Sequence, residues 1–261
     1  MKIIVCIKQV PDTTEVKLDP KTGRLIRDGV PSIINPDDKN ALEEALRIKD
    51  ENPDTTVTVV SMGPPQADVA MREALAMGAD EAILISGREF GGSDTWATSY
   101  IIATAIKKIP DYDIIFCGRQ AIDGDTAQVG PQIAEQLNIP QITYVQKLDI
   151  EGDKVIVQRQ LEDGYTVVEA KMPVLLTAIK ELNTPRYMTP KGIFEAYNKT
   201  VQVWGFNDVP IDAEKIGLKG SPTNVNRTFS PEAKGKGIML EGADKETVKT
   251  LIAKLDEKHL L

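Results

Sequence analysis

The sequence predicts a three-layer α/β fold with a mostly parallel sheet, an antiparallel meander and an extended C-terminal arm. Three observations carry that prediction. Short apolar, β-branched runs recur at Lys2–Lys8, Thr56–Ser61, Glu81–Ile85 and Asp113–Cys117, as buried parallel strands do. Segments of helical periodicity separate them, so strands and helices alternate and right-handed crossovers follow. After residue 140 the pattern changes to period-two segments set around glycine-containing turns.

Each element follows in order. Lys2–Lys8 opens the sheet, and Gln9–Thr14 is expected to be a loop. Val16–Arg27 alternates about a Lys-Thr-Gly turn and predicts a hairpin. Asn35-Pro36-Asp37-Asp38 then opens a helix over Lys39–Asp50, with Leu42, Ala45, Leu46 and Ile48 as its apolar stripe and Asn35 or Asp37 as N-cap. Strand Thr56–Ser61 ends in the turn Met62–Gln66, and the helix Ala67–Met77 stops at Gly78. Strand Glu81–Ile85, a glycine-rich loop to Asp94 and a helix over Thr95–Lys108 follow. Strand Ile114–Cys117 delivers the chain to Gly118–Pro131, and a helix is expected over Thr126–Leu137. Gln141–Val145, Lys154–Arg159 and Tyr165–Ala170 form the meander, and the apolar run Pro173–Ala178 returns to the main sheet. Beyond Leu182 there is a short helix over Gly192–Tyr197 and a strand at Thr200–Trp204. The closing helix Asp244–Lys258 is expected to turn Val248, Leu251, Ile252 and Leu255 inward.

Composition narrows the function. The 261 residues carry a net charge of −8, with residues 1–190 at −9 and residues 191–261 at +1. An acidic main body argues against nucleic acid as a partner. Only Cys6, Cys117 and His259 could serve as soft ligands, there is no C-x-x-C, and neither zinc nor an Fe–S cluster is expected. Two cysteines inside apolar strands fit a reducing compartment. With no apolar leader and no stretch of membrane-spanning length, the expected location is the cytoplasm, without membrane insertion. With no internal histidine, general acid–base catalysis lacks its usual agent.

Chemistry concentrates in Asp123-Gly124-Asp125-Thr126, at the carboxyl end of a strand, where ligands bind in open α/β sheets. This turn supplies backbone N–H groups, a glycine able to take positive φ, and a helix N-cap. The helix dipole favours a phosphate. The flanking carboxylates are compatible with one if they cap backbone or hold ribose hydroxyls. A capped turn with nothing bound and a Mg²⁺ site on paired aspartates are the other readings. No Lys follows the turn as in a Walker loop, and no GxGxxG is present.

Four blocks then carry a resemblance: Asn35-Pro36-Asp37-Asp38 before Ala41-Leu42-Glu43-Glu44-Ala45; Ala74–Asp80; Gly118–Asp125; and Leu182-Asn183-Thr184-Pro185-Arg186-Tyr187. In this order they resemble the beta subunit of electron transfer flavoprotein, from Lys2 to about Tyr197. The resemblance implies a Rossmann-like, adenine nucleotide α-hydrolase-like domain and a heterodimer with an FAD-carrying alpha subunit. It implies a nucleotide site made of Cys6, Asn35, Pro36, Asp37, Asp38, Met62, Asp123, Gly124, Asp125, Thr126, Ala127, Gln128, Val129, Gly130, Pro131, Gln132, Ile133 and Ala134. It also implies a docking loop for acyl-CoA dehydrogenases over Pro185–Lys199, centred on Arg186, Tyr187, Met188, Thr189, Pro190, Lys191, Gly192 and Ile193. The expected organisation is a nucleotide-binding domain over 1–190, then a continuation of that loop and an arm over 191–261 that packs on the partner.

The ordinary family pattern holds AMP in the beta site. This chain departs from it, with Asp37-Asp38 in place of Phe-Cys, Thr13 in place of Tyr and Pro190 in place of Leu. The Asp-Asp version is similar to the anaerobic, electron-bifurcating group. There FAD fills the beta site, NADH is the donor, and electrons divide between the acyl-CoA dehydrogenase branch and ferredoxin or flavodoxin. The alternatives are the AMP-binding subunit, a stand-alone nucleotide-binding sensor, and an ATP-pyrophosphatase. The last wants a Ser-Gly-Gly-x-Asp-Ser loop after the first strand, and Gly91-Gly92-Ser93-Asp94 is only a partial echo elsewhere.

Overall fold

The computed structural model describes residues 1–12, 31–226, 235 and 237–261. The hairpin expected over Val16–Arg27 and the departure at Thr13 lie outside them. Two compact units are present, Met1–Val225 and Asn226–Leu261.

In chain order the first unit contains β1 (Lys2–Cys6), β2 (Gln9–Pro11), β3 (Ser32–Ile34), α1 (Pro36–Glu51), β4 (Thr56–Met62), α2 (Asp68–Met77), β5 (Glu81–Ile85), α3 (Thr95–Ile106), β6 (Ile114–Gly118) and α4 (Val129–Leu137). It continues with β7 (Gln141–Glu151), β8 (Lys154–Gln160), β9 (Tyr165–Lys171), β10 (Val174–Ala178), α5 (Pro190–Asn198), β11 (Val201–Trp204) and α6 (Gly217–Gly220). A nine-stranded sheet takes the order β11-β5-β4-β1-β6-β10-β7-β8-β9. It is parallel from β11 through β7, and the meander β7-β8-β9 extends it antiparallel. The segment expected to be a loop after β1 instead pairs, as the antiparallel ribbon β2-β3.

Alternation along β1 and β6 explains the three layers. Ile3, Val5, Ile114 and Phe116 point into one core layer with Leu42, Leu46 and Met71 of α1 and α2. Ile4, Cys6, Ile115 and Cys117 point into the other, with Ile101 and Ile106 of α3 and Ile133 of α4. Strands buried on both faces read as continuous apolar runs for this reason.

From β1 the chain moves outward through β4 and β5, then crosses back to place β6 on the other side of β1. That reversal is a topological switch point, which leaves a crevice at the carboxyl ends of the strands.

The first unit runs past residue 190. Parallel pairing sets β11 beside β5, and α5 packs on α2, with Gly192 so close to the carbonyl oxygen of Ala76 that a Cβ there would overlap it. The boundary expected at 190 therefore falls inside this unit. The weak periodicity after Leu182 hid it, because these elements bury one face each on an existing core.

The second unit contains α7 (Lys245–Glu257), capped by the Asp244 carboxylate on the Thr247 N–H at 2.8 Å. The stripe expected to turn inward does not: Val248, Leu251 and Ile252 are all exposed, and none of the unit's described residues is buried. No helix among the described residues is long and apolar enough to cross a membrane.

Candidate functional site

A cavity of about 360 Å³ lies at the switch point. Cys6, Ile7 and Lys8 at the end of β1, Met62 at the end of β4 and Cys117 through Ala121 at the end of β6 form three of its sides. Gly124, Thr126, Ala127, Gln128, Val129, Gly130 and Ile133 form another.

Asp38, in the first turn of α1, also lines the cavity and fastens its floor. Its carboxylate accepts the Lys8 N–H at 2.8 Å and the Gly118 N–H at 2.9 Å, so one side chain ties the ends of β1 and β6 together. Burial raises its pKa to about 7, and the hydrogen bonds it accepts pull the other way without offsetting that penalty. A Cβ on Gly118 would overlap this residue, so the close approach requires glycine. Asp37 faces Arg119 at 3.3 Å. Burial raises its pKa too, and the Arg119 charge lowers it.

Asn35 is the N-cap residue of α1 by position, but its side chain makes no cap. It donates to the Gln120 carbonyl at 2.8 Å and accepts from the Ile122 N–H at 3.0 Å, and so pins the 118–126 turn to α1. Pro36 occupies the first helical turn, where its missing N–H costs nothing.

The turn itself differs from the expectation. Helix α4 begins at Val129, not Thr126, because Asp125 (φ 54°) and Ala127 (φ 52°) take left-handed conformations that helix cannot pass through. Those two residues, and not Gly124, carry the positive φ. Thr126 is therefore not a cap. Gln128 stands at the cap position, and its side chain instead bonds Thr95 at 3.0 Å. Neither aspartate caps backbone: Asp123 pairs with the Lys8 ammonium at 2.7 Å, and Asp125 accepts from Gln120. The result is a helix N-terminus at the cavity with no side-chain cap and no acidic residue in its first turn. Its free N–H groups and the macrodipole suit an anionic oxygen, and Lys8 and Arg119 also line the cavity. This donor set fits a nucleotide phosphate.

Of the residues expected in the site, Cys6, Asp38, Met62, Gly124, Thr126, Ala127, Gln128, Val129, Gly130 and Ile133 line the cavity. Asn35, Pro36, Asp37, Asp123, Asp125, Pro131, Gln132 and Ala134 do not, and several of them instead hold the wall in place. A further side was missed: Ser93, Asp94, Thr95, Thr98 and Ile102. Asp94 caps α3 through the Ala97 N–H at 3.0 Å; burial pushes its carboxyl up, but the hydrogen bonds it accepts from Ala97, Thr223 and Trp96 together hold it below the ordinary range. The signal was available in Gly91-Gly92-Ser93-Asp94-Thr95, a second strand-to-helix turn of small polar residues. Among the described residues no cluster of His, Cys, Asp and Glu could hold a metal ion.

In the expected docking segment, Tyr187, Met188 and Ile193 are exposed, as are Phe194 and Tyr197 further along it. Thr189 caps α5 through the Gly192 N–H at 2.9 Å, Pro190 starts the helix, and Lys191 pairs with Glu195 at 3.5 Å. Arg186 is pulled inward to Glu43 and Asp50 at 2.8 Å and 2.7 Å.

Fold and site together define a doubly wound α/β protein with a cavity at the strand ends, onto which an uncapped helix N-terminus opens. Residues 22–209 match the electron transfer flavoprotein domain family. Along its whole length the chain is 62% identical to all of the electron transfer flavoprotein subunit beta of Thermoanaerobacterium thermosaccharolyticum. It is 58% identical, over all of both chains, to the caffeyl-CoA reductase-Etf complex subunit CarD of Acetobacterium woodii. Identity to the acryloyl-CoA reductase electron transfer subunit gamma of Anaerotignum propionicum is 54%, again over both full lengths. The chain belongs to the electron transfer flavoprotein family, among its beta subunits, and serves electron transfer. That membership sets aside the stand-alone sensor and the ATP-pyrophosphatase.

Proposed function

We propose that this beta subunit holds FAD at the switch-point cavity within an NADH-oxidising, electron-bifurcating flavoprotein. Its partners are an FAD-carrying alpha subunit, an acyl-CoA dehydrogenase, and ferredoxin or flavodoxin as the second acceptor. The single observation behind the nucleotide is the uncapped N-terminus of α4 opening on the cavity beside Lys8 and Arg119. The choice of FAD over AMP rests on the Asp37-Asp38 pattern and on full-length relatives whose names place them in a caffeyl-CoA reductase-Etf complex and an acryloyl-CoA reductase.

In this reading the first turn of α4 receives phosphate, Thr126 and Gln128 offer neutral donors, and Asp38 holds the floor. Flavin supplies the one- and two-electron chemistry when bound, and the chain supplies binding and orientation. Exposed Tyr187, Phe194 and Tyr197 on and beside α5 are the surface offered to the dehydrogenase. Residues 226–261, with the open stripe of α7, are the arm offered to the alpha subunit.

Cofactor analysis of the purified heterodimer tests this. Two FAD per dimer is the expected result. One FAD with one AMP overturns it in favour of a structural nucleotide.

A further inference from the structure

We propose that Cys6 and Cys117 are a redox pair on the cavity wall: a small disulfide that enters the cavity oxidises them to a cross-strand disulfide, and a nucleotide seated there blocks the exchange. They are the only two cysteines of the chain. In the parallel pairing of β1 with β6, Val5 stands opposite Phe116, which sets the next residues, Cys6 and Cys117, side by side. Both side chains fall on the same sheet face, and both line the cavity. Neighbouring strands lie about 4.8 Å apart, inside the span of about 4.4–6.8 Å between Cα atoms that a disulfide bridges. The Cys6 thiol is the neighbour of the Cys117 thiol on the cavity wall. The neighbouring Cys6 thiol, burial and the nearby Asp38 charge keep the proton on Cys117. Gly130 of α4 packs against Cys117, so the pair sits directly behind the uncapped helix end.

The chemistry is ordinary exchange. Cys6 as thiolate attacks R–S–S–R, forming a mixed disulfide and releasing one thiol. Cys117 then gives up its proton and attacks the Cys6 sulfur, closing the bridge and releasing the second. Two protein thiols are oxidised, one small disulfide is reduced, and both protons leave on the product thiols.

The test uses the heterodimer stripped of nucleotide by dialysis against bromide and shown to be folded by circular dichroism. It is treated with oxidised glutathione and mapped by peptide mass spectrometry. The expected product is one linked peptide pair joining Cys6 and Cys117, lighter by two hydrogens and absent from Cys6→Ser and Cys117→Ser. Free thiols throughout, or glutathione on each cysteine separately with no linked pair, overturns the pairing. The protection arm rests on the proposed nucleotide reading. AMP or FAD at about ten times its Kd should slow linkage about tenfold, since the free fraction falls by that factor. Linkage at an unchanged rate would leave the pair standing and remove the nucleotide from this cavity.

Discussion

Arg186 closes on the Glu43 carboxylate through Nε at 2.8 Å and Nη2 at 3.0 Å, while its own backbone N–H donates to the same group at 2.9 Å. Glu43 is buried on α1, the helix whose first turn holds Asp38 at the cavity. Asn183 adds bonds to the Asn40 carbonyl at 3.0 Å and the Glu44 carboxylate at 2.8 Å. One helix thus carries the cavity floor at its start and the root of the exposed aromatic segment along its middle. Glu43→Gln should leave cavity nucleotide unchanged, cost about 2 kcal/mol of stability by removing the charge from these hydrogen bonds, and weaken dehydrogenase binding. Urea unfolding and titration calorimetry measure the two effects. Unchanged dehydrogenase affinity would mean that Arg186 does not set the docking segment.

Asp38 makes stability depend on pH in an unusual direction. Its folded pKa, about 7, lies above the ordinary 3.8, so the folded state holds the proton more tightly than the unfolded chain does. The associated stability is full below pH 3.8 and is lost as pH rises to about 7, levelling off beyond. The loss is at most about 4 kcal/mol. Urea midpoints across pH 4.5–8 should fall more steeply in the native chain than in Asp38→Asn. Parallel curves would show that the carboxyl does not titrate there.

Two glycines beside the cavity should behave oppositely. A Cβ at Gly130 would meet the Thr177 methyl at 3.0 Å and Cys117 at 3.5 Å, so Gly130→Ala pushes the start of α4 off the strand ends. About a tenfold loss of nucleotide affinity, some 1.4 kcal/mol, is expected. A Cβ at Gly124 meets nothing within 4 Å, and Gly124→Ala should bind as the native chain does. Thr126→Trp fills the cavity and should empty it of nucleotide, read as released AMP or FAD per heterodimer.

Gly192 anchors α5. Adding a methyl group there overlaps the Ala76 carbonyl oxygen, so Gly192→Ala must lift α5 from α2 at a cost of about 2 kcal/mol. Limited proteolysis should then cut near 187–198 before any other site, with cavity nucleotide unaffected.

Legibility in the sequence followed burial. The parallel strands announced themselves because Ile3–Ile7 and Ile114–Cys117 are covered on both faces, which forces apolar runs. Gly78 marked a helix end through chemistry that acts within a few residues. What escaped depended on distant partners. The roles of Glu43 and Glu44 are set by Arg186 and Asn183, which arrive from more than a hundred residues away. Thr126 read as a helix cap, and only the left-handed Asp125 and Ala127 displaced the helix start to Val129. Lys8 pairs with Asp123, 115 residues further along the chain. Cys6, Asp38, Met62 and the Thr126–Gly130 stretch were placed through family resemblance, which encodes those distant contacts that local patterns do not.

The strand order also sets a timetable for synthesis. Every residue lining the cavity lies between Cys6 and Ile133, so that stretch leaves the ribosome first. Its outer wall, β6, stays uncovered on one edge until β10 emerges at Val174–Ala178, and β5 waits for β11 at Val201–Trp204. A nascent chain therefore carries a ligand crevice between two unpaired parallel edges for many residues of translation, when long-range pairing is slow and exposed edges invite misassembly. On the proposed reading, a nucleotide that binds the crevice at that stage would act as a folding template, and synthesis without it should yield this subunit as aggregate rather than as an empty protein.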